Sequence, residues 1–153
     1  MAKFIYRMQN ILNIKYKLED QAKNEFMIAN RVLQEEEEKK KRLQDRKTGY
    51  QEEGKRLLMQ KLDMFKIMEN KEAILRMEEY IKEQDAVILK ARKKVEEKAA
   101  KLAELRQERK AQEKLREKAF ELFIQEENSR ESKEIDELVS FTYGRKQKEN
   151  SKG

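Results

Sequence analysis

Apolar side chains keep a seven-residue beat through the second half of the chain. Ile67, Ile74, Ile81, Ile88, Val95 and Leu102 stand one heptad apart, and Met77, Ala91 and Leu105 follow members of that series by three. Such a repeat lays a narrow apolar stripe along one side of a helix, which a second helix must cover. Beyond Arg109 the spacing predicts a change of register, with Leu115, Ala119, Leu122 and Phe123 carrying the stripe onward. The first half is rougher: Phe4, Met8, Ile11, Leu18, Ala22, Ala29, Val32, Leu43, Tyr50 and Leu57 lie close to a stripe. Glu36, Gln84, Lys98 and Gln112 interrupt the stripes and weaken packing where they fall.

The run EEEEKKKR, residues 35–42, places each of four glutamates four residues before a base. Acid before base at this spacing supports a helix by ~0.2–0.5 kcal/mol per pair, so the run reads as a solvated helix surface. One unbroken helix of about 140 residues would reach roughly 210 Å at ~1.5 Å per residue and would need a partner chain throughout. A hairpin lets the chain cover its own stripe. Gly54 loosens the helix and Asp63 can cap a new one, so the turn is expected at about 58–63, with 69–71 as the alternative. The expectation is an all-α fold, a long antiparallel two-helix coiled-coil hairpin whose second helix is the longer. Arm one covers about 4–57 and arm two about 63–143, within one domain of residues 1–144; residues 145–153 read as a disordered basic tail.

Composition agrees with a rod rather than a globule. Charged residues make up 44% of the 153 and hydrophobic ones only 37%, too little apolar mass to enclose a core on all sides. Proline is absent and glycine occurs four times, which favours helix over turns. The absence of cysteine and histidine removes thiol nucleophiles, disulfides, imidazole bases and the common zinc ligands. The expected chain is therefore no enzyme and takes no cofactor and no metal. Nothing resembles a leader peptide, and no stretch nears the ~20 apolar residues of a membrane span, so a soluble cytoplasmic protein is expected.

One motif argues the other way. TGYQEEGKR, residues 48–56, sets four residues between Gly49 and Gly54-Lys55, one step from the phosphate loop G-x-x-x-x-G-K-[ST]. Arg56 stands where the hydroxyl belongs, Glu52 and Glu53 repel phosphate, and the flanks are helical. The stretch reads as softened helix near a hairpin, not as a nucleotide site.

The two ends carry more specific information. The first is FIYRMQNILNIKYKLEDQAKNEF, an aromatic and basic opening with Phe4, Tyr6, Arg7, Gln9, Leu12 and Lys15, followed by acidic Glu19 and Asp20. The second is KLREKAFELFIQEENSRESKEIDELVSFTYGRK, a basic helix running into Lys133, Glu134, Ile135, Asp136, Glu137 and Leu138. Together, in this order and at this length, they resemble the flagellar export protein FliJ family, whose members open F-x-[FY]-R-x-Q-x-x-L-x-x-K and close on E-x-K-E-[IL]-D-E. The resemblance implies a non-catalytic stalk of the type III protein export apparatus in bacterial flagellum biogenesis and motility. Such a stalk enters the hexameric export ATPase ring, promotes its assembly, connects it to the membrane export gate and handles export chaperones. It implies a monomer when free, cytoplasmic and held peripherally at the inner face of the cell membrane through its partners. On this likeness Arg7, Lys15, Arg116, Lys118 and Phe123 are the expected ring contacts. Leu43, Tyr50, Ala73, Met77, Tyr80 and Gln84 are the expected gate contacts, with Tyr50 and Tyr80 the better placed and Met77 more readily core.

Rival readings come from other classes. A self-associating structural coiled-coil scaffold fits the same stripes. Net charge +6 suits nucleic acid, but the bases alternate with acids, no recognition motif appears, and no nucleic-acid partner is expected. Residues 3–17, with Lys3, Arg7, Lys15 and Lys17 and no acid before Glu19, have the charge of a segment that rests on an anionic membrane.

Overall fold

The computed structural model describes residues 2–151. They form two helices packed against each other, α1 (Gln9–Met59) and α2 (Met64–Ser151), with no strand among the described residues. The second helix is the longer, 88 residues against 51. Contacts divide the chain into two units, one of Leu18–Leu105 and one of the two ends, up to Lys17 and from Arg106.

In the Leu18–Leu105 unit the chain reverses over residues 60–63. Asp63 starts α2: its carboxylate accepts the backbone N–H groups of Phe65 at 3.1 Å and Lys66 at 3.4 Å, and its carbonyl accepts that of Ile67 at 3.1 Å. The side chain thus satisfies two amides that a helix start leaves without partners. Shielded positions on α2 then alternate in steps of three and four, 67, 70, 74, 77, 81, 84, 88, 91, 95, 98, 102 and 105. On α1 they are 19, 22, 26, 29, 33, 36, 40, 43, 47, 50, 54 and 57. Ala22, Leu102 and Leu105 form a buried cluster with Phe26 against it, and Ala29, Met77 and Ile88 are buried elsewhere along the seam.

This seam corrects the reading of α1. Ile11, Leu18 and Val32 are exposed, as is Met8 just before the helix; Leu12, Glu19, Phe26 and Leu33 take the inward positions. Much of the α1 seam is polar, and its polar members pair across. Lys40 meets Asp85 at 2.7 Å and Lys47 meets Glu78 at 3.4 Å, while Glu25 beside the seam receives Lys98 at 3.0 Å. Residues 35–42 are accordingly more than a solvated surface. Glu36 sits in the seam and accepts Gln84 Nε2 on both its carboxylate, at 2.6 Å, and its carbonyl, at 2.8 Å. That hydrogen bond, with help from Lys39, holds the Glu36 carboxyl below its ordinary pKa.

Gly54 has a packing role that its motif disguised. Residues 48–56 lie inside α1, where amides are committed to the helix rather than to an anion. A methyl group at Gly54 would stand 2.5 Å from Asn70 Oδ1, and Asn70 Nδ2 donates to the Tyr50 carbonyl at 2.8 Å. The missing side chain lets Asn70 reach the α1 backbone. Gly54→Ala should therefore trade a helix-propensity gain of ~1 kcal/mol against a lost hydrogen bond of similar worth, leaving stability nearly unchanged. In an Asn70→Ala background the same change should stabilise by the full ~1 kcal/mol. A double-mutant cycle in urea reads the coupling, and strict additivity would contradict this packing.

In the unit of the chain ends, α1 begins at Gln9, after a turn in which the Gln9 amide donates to the Tyr6 carbonyl at 3.1 Å; residues 4–8, expected in the helix, precede it. The expected register change beyond Arg109 does not occur. Positions 109, 112, 119 and 123 continue the same heptads in shielded places, position 116 falls exposed, and Leu115 and Leu122 face solvent. The polar Arg109 and Arg116 made the unbroken series look shifted, whereas Gln112 interrupts the stripe where the spacing placed it. Residues 145–151, expected as disordered tail, continue α2 to Ser151; residues 152–153 of that tail lie outside the described residues.

Candidate functional site

The ends of the chain meet in an aromatic cluster. Phe4 packs edge-on against Phe120, ring centroids 5.2 Å apart at 74°, and lies 5.5 Å from Phe123 at 50°. The Arg116 guanidinium stands 5.6 Å from the Phe4 centroid, and its Nε donates to Gln9 Oε1 at 3.0 Å. Ring quadrupole and cation attract here, and the pair fixes the non-helical start of the chain on α2. About two turns further along, Lys15 pairs with Glu108 at 2.9 Å. Beside it the Tyr16 hydroxyl donates to the Glu113 carboxylate.

Glu113 raises the Tyr16 pKa above 10.0, chiefly by accepting that hydrogen bond, with burial and the carboxylate charge adding to it against Arg109 and Arg116. The sign follows directly. The interaction is fully present below the ordinary tyrosine pKa and is lost as pH rises through the raised folded value. Tyr16→Phe should therefore reduce the fall in stability above pH 10, with under ~1 kcal/mol of change at neutral pH. Thermal unfolding of both chains from neutral to alkaline pH checks this, and parallel pH curves would contradict it.

Of the expected ring contacts, Arg116 and Phe123 come together at the Phe4 cluster. Lys15 is half-buried against Glu108, while Arg7 and Lys118 are exposed. The expected gate contacts lie in the Leu18–Leu105 unit and mostly face inward. Met77 is buried; Leu43, Tyr50, Ala73 and Gln84 are half-buried; Tyr80, 46% exposed, presents its side chain to solvent.

A further surface escaped the sequence reading. Every described residue from 128 to 150 except Gly144 is exposed, so α2 runs on without covering. Its side holds Ile135, Leu138, Val139 and Thr142, the i, i+3, i+4, i+7 spacing of an amphipathic face, with Tyr143 and Lys146 completing a shallow groove. That spacing was present in KEIDELVSFTYG but yielded no partner position within the chain.

Among the described residues no group of three or more acidic side chains could hold a metal, and no helix is long and apolar enough to cross a membrane. Two helices packed against each other, the second the longer and the first polar in much of its seam, define an all-α protein. The chain belongs to the FliJ family: the family model described as Flagellar FliJ protein matches residues 4–148. Membership places it in flagellar export, in association with the export apparatus, within a family of structural flagellar proteins. No curated protein and no solved structure matches the chain.

Proposed function

We propose that this chain is the non-catalytic central stalk of the flagellar type III export apparatus. Its chain-end unit enters the hexameric export ATPase ring and promotes ring assembly. The hairpin end couples the ring to the membrane export gate, and the stalk also handles export chaperones. On this reading ATP is hydrolysed by the partner, and the chain is held at the inner face of the membrane through its partners.

The observation that carries the proposal is the uncovered stretch of α2 beyond Glu127. A helix without packing is marginal in water, because most helical stability comes from a buried apolar face. A stretch that keeps the Ile135, Leu138 and Val139 side chains together on one side, exposed, is built to be covered by another molecule. Arg7 and Lys118 would meet acidic groups of the ring, and Phe123 with Arg116 would hold the two chain ends in place for entry. At the gate, Tyr80 is the contact that needs no rearrangement.

A second copy could cover the same face, which is the scaffold reading. Light scattering separates the two. The stalk reading predicts a monomer alone and one chain per hexamer when mixed with the export ATPase; a tight dimer indifferent to the ATPase would overturn it.

A further inference from the structure

The end of the hairpin exposes more apolar surface than a turn requires. Leu58, Met59, Leu62, Met64, Phe65 and Met68 are all exposed, Met59 to 89% and Phe65 to 72%. All but Met68, which follows Ile67 by one residue, lie between the last shielded positions, Leu57 and Ile67, so the helix pair gains nothing by keeping them apolar. Turns ordinarily carry Gly, Asn, Asp and Ser. Single exposed apolar residues are commonplace, but six within eleven positions mark a contact surface.

Charge selects the occupant. Residues 54–68 hold four bases, Lys55, Arg56, Lys61 and Lys66, against one acid, Asp63, whose carboxylate is engaged with the first amides of α2; the flanking exposed acids, Glu52, Glu53 and Glu69, stand further from the turn than these bases. All four bases are exposed around the apolar tip. A second copy of the tip would bring like charges together. An acidic amphipathic peptide would need a concavity, and the nearest depression, between Gly54, Ile67, Asn70 and Ile74, lies along the side of the hairpin and includes Leu58 alone of the tip residues. A chain reversal bearing Met, Leu and Phe inside a collar of Lys and Arg matches an anionic bilayer surface, with apolar groups among the acyl chains and cations at the phosphates. Met and Phe suit this, since soft or broad side chains adapt to a fluid medium. We infer that the hairpin tip is a membrane-contact site that inserts Met59, Met64 and Phe65 into a bilayer containing anionic lipid.

This inference is independent of the stalk reading, and its test uses lipid alone. The chain has no tryptophan, so Phe65→Trp supplies a single fluorophore at an exposed position of the tip. Phe141→Trp, on the α2 face flanked by Glu134, Asp136 and Glu137, is the control. The probes are vesicles of phosphatidylglycerol with phosphatidylcholine, or of phosphatidylcholine alone, with brominated acyl chains as quencher. The tip site predicts blue-shifted, bromine-quenched emission from the Phe65→Trp chain on the anionic vesicles only, with emission from the Phe141→Trp chain unmoved. Replacing Lys55, Lys61 and Lys66 by Gln should weaken partitioning roughly a hundredfold, from about fivefold per base. Unchanged emission from the tip fluorophore at saturating anionic lipid would overturn the site. So would binding that survives the triple replacement, which would assign it to residues 3–17. A shift of the tip fluorophore with an acidic amphipathic helical peptide but not with vesicles would overturn it in favour of a protein partner.

Discussion

Leu102→Ala is expected to lower the unfolding free energy by about 2–3 kcal/mol, the lower part of the range for buried leucines. Leu102 is 5% exposed and sits with Ala22 and Leu105 where α1 and α2 meet. Ala22 carries only a methyl group, which cannot reach into the space, so part of the cavity would persist. Solvent lies only one layer away on either side of a two-helix seam, which limits the loss. The matched control is Leu122→Ala, one position before the shielded Phe123 and 58% exposed, which should cost under ~0.5 kcal/mol. Urea unfolding followed by helicity measures both. Equal losses would mean that the register does not continue unshifted past Arg109.

Ending the chain after Glu127 should abolish activation of the export ATPase while leaving the urea midpoint of the remaining helix pair unchanged. The described residues it removes contribute no burial apart from Gly144, and the Glu127–Arg130 pair at 3.3 Å involves a largely exposed arginine. Exposed pairs of this kind are worth ~0–1 kcal/mol. A finer variant keeps the helix at full length: Leu138→Gln with Val139→Gln should weaken activation through the apolar face alone. Full activation by both variants would assign the coupling elsewhere. Loss of activation together with a lowered midpoint would mean that this stretch packs on the rest of the chain.

Fold class was legible because α2 writes its seam in Ile and Val. Those side chains are hydrophobic wherever they sit, so the repeat from Ile67 to Leu102 shows in the sequence alone. The α1 seam was not legible because Lys15, Glu19, Lys40, Lys47 and Gly54 occupy it. Lys98 and Gln112 could be placed in the α2 stripe by the apolar heptads around them, but on α1 a lysine has no such frame, and Glu108, Asp85 and Glu78 are distant in sequence. Polar residues at two successive heptad positions, Arg109 and Arg116, likewise gave an apparent register change. Gly54 looked like a loosened helix or a phosphate loop because Asn70, which needs the space, stands 16 positions away. Asp63 was readable as a cap, since capping is local and its partners are the next residues. At the chain ends, Arg116 and Phe123 were singled out as separate contacts; their junction through Phe4 is a tertiary fact that no spacing encodes. The 135–142 face is the reverse case, a local pattern in plain view whose meaning depends on no described residue covering it.

The most direct test is a titration of the full chain into the export ATPase of the same organism, following phosphate release and ring assembly together. The stalk account predicts activation that saturates near one chain per hexamer, with assembly rising in parallel. A chain that neither binds, assembles nor activates the ATPase at any ratio would contradict it.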